Sequence, residues 1–206
     1  MSKSFLIVLF AFLFLNSFCK AQKLYIWCPT EQDAKPRTDF LENENVNIVV
    51  FDGRIIPKNS KIECESSSVD QALVEYIKKA YPSCKITTLN ESDYYKKSEA
   101  GKITIKIGIA AYQAGFGTDI SVGIGSVGGK FSYGIFPKGE WNGLTSYFVQ
   151  IFDNRKVERK KYNKEINEVT SKSNMWGYKT ARTCLFSSYD KANQTLLSFI
   201  ESSFME

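Results

Sequence analysis

From residue 46 onward, apolar and polar positions alternate in blocks that predict strands bracketed by two helices. Val46 to Phe51 (VNIVVF) is an apolar run closed by the turn sequence Asp52-Gly53-Arg54, the form of a buried strand. Ser68, with Gln71 three residues on, opens a predicted helix as a capping box. Val69, Leu73, Ile77 and Ala80 keep its apolar face at near-helical spacing, and Pro82 ends it. Residues 84–89 predict a second strand. Lys102 to Ile109 alternates residue by residue, giving one wet and one dry face. Ile120 to Ile124 and Lys130 to Ile135 predict two strands around a glycine-rich connection, and Leu144 to Phe152 a long strand closed by Asp153-Asn154-Arg155. Ala181, Cys184 or Leu185, Ser188, Ala192, Leu196 and Phe199 form one face of a long closing helix. The predicted fold is α+β: a two-layer sandwich with a mostly antiparallel sheet of about five or six strands and two main helices. This single domain spans residues 46–206, and residues 22–45 read as an irregular N-terminal arm tied down by Trp27 and Cys28.

The start of the chain changes the picture of where the protein works. Lys3, the uninterrupted apolar run Phe5 to Leu15, and Cys19-Lys20-Ala21 have the three parts of a secretory signal peptide over residues 1–21. The run is shorter than the roughly 20 residues a spanning helix needs. Phe18, bulky where a lipid-attachment pattern wants a small residue, argues against a lipid anchor on Cys19. The expectation is an exported protein, periplasmic or secreted. Removing the leader takes away Lys3 and Lys20 and lowers the formal +5 by two, an ordinary charge that gives no argument for nucleic acid. Four cysteines then remain, Cys28, Cys64, Cys84 and Cys184. An even number in an exported chain favours disulfides, up to two bridges in any of three pairings.

Candidate chemistry is sparse. With no histidine, the chain has no Ser-His-Asp or Cys-His nucleophile system, no histidine metal ligand and no imidazole switch. No cofactor, metal site or catalytic residue is predicted. Gly123-x-Gly125-x-x-Gly128 matches a dinucleotide fingerprint by letter, but Gly129 to Gly134 reads as strand where that motif needs a helix. A glycine-loosened hairpin is the better reading. The densest charge is Arg155, Lys156, Arg159, Lys160, Lys161 and Lys164, read as a solvated hairpin tip or a contact with an anionic membrane or polysaccharide. Tyr25, Trp27, Tyr94, Tyr95, Phe116, Trp141 and Tyr147 could line a sugar- or peptide-binding face. Glycosylation sequons occur at Asn90 and Asn193, the second on a predicted helix. Of the carboxylates, Glu63 and Glu65 flank Cys64, while Asp52 and Asp153 end strands.

The strand Val46 to Arg54, the helix Val69 to Tyr81, the strand Tyr147 to Arg155 and the closing helix with Ala181, Ser188 and Ala192 come in an order that resembles small bacterial envelope domains. These are the α/β units of YajG-like and curli-secretion (CsgG-like) lipoproteins, themselves similar to the N-terminal domain of TolB. The resemblance covers roughly residues 45–203, carries no functional residue over, and implies a non-enzymatic envelope component. The expected function is an exported, non-catalytic binding or assembly component for an envelope protein or glycan. The alternative is a secreted hydrolase using a pair of carboxylates.

Overall fold

The computed structural model describes residues 23–30, 32–58, 60–118, 122–156 and 158–205; the expected signal peptide and Cys19 lie outside them. Among the described residues the elements run β1 (Leu24–Trp27), β2 (Asn45–Asp52), β3 (Lys61–Glu63), α1 (Ser66–Ala80), β4 (Lys85–Thr88), β5 (Ile103–Phe116), β6 (Val122–Val127), β7 (Lys130–Ile135), β8 (Glu140–Asp153), β9 (Lys160–Ser173) and α2 (Tyr178–Ser202). A single 3-10 turn, Glu91–Asp93, follows β4.

Strand β5 is the spine. Strand β8 runs antiparallel to it along its whole length, and β9 lies antiparallel outside β8. The other edge of β5 is shared. Its first half takes β2 in parallel, with β4 parallel beyond, and its second half takes β1 antiparallel, with β3 parallel beyond. The class is α+β with two helices, as expected. The sheet itself is mixed rather than mostly antiparallel, and its seven strands exceed the five or six predicted. The reason is α1: the chain leaves β2, crosses over through this helix and returns as β4, and such a crossover brings strands back in parallel.

Both helices pack on one side of the sheet. Ile103, Ile105, Ile107 and Ile109 of β5 point toward them, as do Val46, Ile48 and Val50 of β2 and Tyr147, Val149 and Ile151 of β8. A bulge follows Ile109, where the register with β8 shifts. The inward positions of β5 then move from odd to even, so Tyr112 and Ala114 join the core while Ala110 and Ala111 face outward. Such a bulge bends and twists a long strand, and the sheet curls around the helices. Gly143 lets α2 approach: a side chain there would collide with the backbone of Cys184 and Leu185. Thr145 meets Ser188 at 2.9 Å and the Tyr147 hydroxyl donates to Asn193 Oδ1 at 2.9 Å, so these buried polar groups under α2 are paired.

Three expectations need correction. Residues 22–45 are not wholly irregular, because Leu24–Trp27 is buried as a strand of the sheet. Helix α1 begins at Ser66 after Glu65 and has no side-chain cap, so the Ser68/Gln71 capping box does not form. The four cysteines make one bridge, Cys28–Cys64, with Cα atoms 4.7 Å apart; Cys84 and Cys184 are free. Cys184 is buried on the sheet-facing side of α2, its thiol donating to the Trp141 carbonyl. The bridge ties β1 to the residue after β3 and is compatible with an oxidising, exported location. No helix among the described residues is long and apolar enough to cross a membrane.

Candidate binding groove on the outer sheet face

The side of the sheet away from the helices carries a second, smaller layer, the β6–β7 hairpin. Gly128 and Gly129 form its two-residue turn, both at positive φ (56° and 79°), where glycine avoids the penalty a side chain would meet. Register pairs Gly123 with Gly134 and Gly125 with Ser132. The fingerprint glycines therefore belong to a hairpin, as expected. Hairpin and sheet lie close: a Cβ on Gly108 would sit 2.5 Å from Val127, and one on Gly134 would sit 2.8 Å from Val169. The Ser146 hydroxyl donates to Ser132 at 2.6 Å.

Between the hairpin turn and the loop Tyr94–Lys96 lies a groove of about 460 Å³. Its floor is the outer face of β5, β8 and β9, and its walls include Tyr94, Tyr95, Lys106, Lys130, Phe148 and Phe152. Lys106 sits at the bottom, only 5% exposed. Its ammonium donates to the Tyr94 carbonyl at 2.7 Å and to the Lys96 carbonyl, and among the described residues no carboxylate is bonded to it. Burial and then Lys161 push its pKa below the usual lysine value, while Asp93 opposes the shift. The ammonium groups of Lys106 and Lys161 lie 5.5 and 5.2 Å from the centre of the Phe152 ring, and that of Lys130 lies 5.9 Å from Phe148. Glu165 is the one carboxylate among the residues lining the groove. Tyr94, Tyr95 and Phe51 cluster at the rim with ring centres 5.1–5.3 Å apart, Phe51 stacked on Tyr94 and Tyr95 edge-on to both. Chemically, the groove offers concentrated positive charge against aromatic faces, suited to an anionic group attached to a sugar ring or an apolar body.

The basic run predicted as an anionic contact is divided by this geometry. Arg155 is engaged by Asp153 and Glu44, and its guanidinium lies over Phe204. Lys156 and Arg159 are exposed in the β8–β9 connection. Residues Lys160, Lys161 and Lys164 belong to β9, not to a hairpin tip. Lys161 points outward beside the groove, whereas Lys164 borders it but lays its ammonium over Phe199 of α2, on the helical side. The missed residues are Lys106 and Lys130, each a lone lysine in a strand whose pattern revealed no cluster.

The aromatic face expected from sequence is split in three. Tyr25, Trp27, Phe116 and Trp141 cluster near the disulfide, together with Tyr178. Tyr94 and Tyr95 stand at the groove, and Tyr147 is core. Asn193 is fully buried between Tyr147 and Gln32, so its sequon cannot be glycosylated in the folded protein, whereas Asn90 is exposed. Among the carboxylates, Asp52 and Asp153 each bind the arginine two residues on, and Glu63 binds Lys61. Asp70 on α1 was not singled out. Burial, reinforced by Asp52, raises its pKa to about 6 against the opposing pull of Arg54. Among the described residues no cluster of ligating side chains could hold a metal ion.

No protein-family model matches the chain, and no curated protein matches it. In structure the chain is similar to the hypothetical protein CT253 from Chlamydia trachomatis, with a TM-score of 0.48 and 8% identity over 78% of this chain and 97% of that one. It is also similar to a crystal structure of an uncharacterized protein, with a TM-score of 0.34 and 9% identity over 82% of this chain and 99% of the other. Neither carries a description of function.

Proposed function

We propose that the protein is an exported, non-catalytic binding component of the cell envelope, which holds an acidic group of a protein or glycan partner in the groove beneath the β6–β7 hairpin. The observation that carries this reading is Lys106. A buried ammonium without a bonded carboxylate costs free energy, and an incoming anion would offset that cost. The leader-like start of the chain and the disulfide support export.

The test is titration with an acidic oligosaccharide and with glycerol phosphate. Binding should be saturable and should weaken as salt rises. Lys130→Gln and Lys161→Gln should each lower affinity severalfold, while Glu165→Gln should raise it. If neither probe binds, or if the three variants match the wild type, the groove is not the binding site.

A further inference from the structure

We propose that the outer side of the sheet is a membrane-docking face, on which the hairpin enters the headgroup region of an anionic bilayer while the groove receives a lipid phosphate. This rests on the groove's holding an acidic group, as read above, and takes that group from a lipid headgroup in place of a protein or glycan.

The argument begins with β7. Its even positions, Ser132 and Gly134, are buried against the sheet. Phe131, Tyr133 and Ile135 therefore point away from the protein, 70%, 64% and 71% exposed. Three large apolar side chains in a row on one strand face form a patch that a protein alone in water has no reason to keep. Tyr95, 64% exposed at the groove rim, extends it on the same side. The charges agree with the patch. Lys130 follows directly from the hairpin turn, Lys161 lies on the outward face of β9, and Lys106 fills the groove floor. Aromatic rings favour the headgroup level of a bilayer, lysine stems lie along apolar surface with their ammonium groups at phosphate, and an anionic surface attracts each such charge. Apolar stripe and lysine groove both open away from the helices, so one flat surface can meet both at once.

Vesicle sedimentation tests this, comparing phosphatidylcholine vesicles with vesicles in which phosphatidylglycerol replaces part of it. The protein should bind the anionic vesicles, and binding should fall as salt rises. Phe131→Ser with Tyr133→Ser should weaken binding about tenfold from lost apolar burial. Lys130→Gln should weaken it about fivefold. Thermal unfolding checks that the variants fold, and the comparison of the two lipids with wild-type protein needs no variant. Equal binding to both vesicles, or binding untouched by the Phe131/Tyr133 substitutions, would overturn the inference. Binding of glycerol phosphate without binding of vesicles would also overturn it while leaving the groove reading intact. Failure of both probes would remove both.

Discussion

Asp52 and Asp153 show how one residue type settles a local structure twice. Each ends a long strand, and each accepts the backbone N–H and the guanidinium of the arginine two residues later. The two similar turn sequences thus build the same staple at two sheet ends, which the charge-assisted bonds hold rigidly. Asp70 behaves oppositely. Its raised pKa means that folding disfavours the carboxylate, so the contribution of Asp70 to stability is greatest below the ordinary carboxylate range and is lost as pH rises through about 6. Asp70→Asn should therefore stabilise the protein near pH 7 by about 1 kcal/mol, a value discounted because Asp70 is only half-buried. A thermal melt should show a gain of roughly 2–4 °C there and none near pH 4. Gly143 carries a sharp steric demand in the core, because a side chain there would come within 2.4 Å of three backbone atoms of α2. Gly143→Val should destabilise by about 3 kcal/mol in a denaturant titration, because α2 cannot approach β8 with a side chain between them.

At the scale of elements, the disulfide secures the weakest part of the sheet. Strands β1 and β3 are four and three residues long, and β1 meets β5 at only two register pairs. Cys28 and Cys64 close a loop with a sequence separation of 36, which restricts the unfolded chain by about 2–4 kcal/mol. Cys28→Ser should lower the unfolding free energy by that amount. Non-reducing peptide mapping should recover this bridge with Cys84 and Cys184 unpaired. Strands β2 and β8 and helix α2 were legible in sequence because each buries a regular apolar face, and β7 was legible because its apolar residues alternate with polar or small ones, although the apolar face is the one turned outward. Strand β9 was not. Its inward positions include Tyr162, Ile166 and Lys164, and the ammonium of Lys164 covers Phe199 where an apolar side chain would have completed the alternation. The bulge in β5 hid a second stretch, since the odd positions that face inward as far as Ile109 give way to even ones at Tyr112. Strand β1 was missed because four residues buried on both faces show no period.

The whole molecule has two unlike sides. One side is a conventional core of sheet and two helices, with its buried polar atoms paired around Thr145, Tyr147 and Asn193. The other side is thin. The hairpin covers β5 and β8 only partly, leaving a groove where lysines from three separate strands converge. No run of sequence could show that groove, because Lys106, Lys130 and Lys161 are brought together only by the antiparallel pairing of β5, β8 and β9 and by the hairpin folding back over them. The contiguous basic run at Arg155 to Lys164, the more visible signal, is dispersed by the alternation of β9. The most direct test of the account is an amide NMR titration of the protein with glycerol phosphate. It should produce saturable shifts at Lys106, Lys130 and Phe152 with α2 silent; no shifts at those residues, or shifts centred on the helical side, would contradict it.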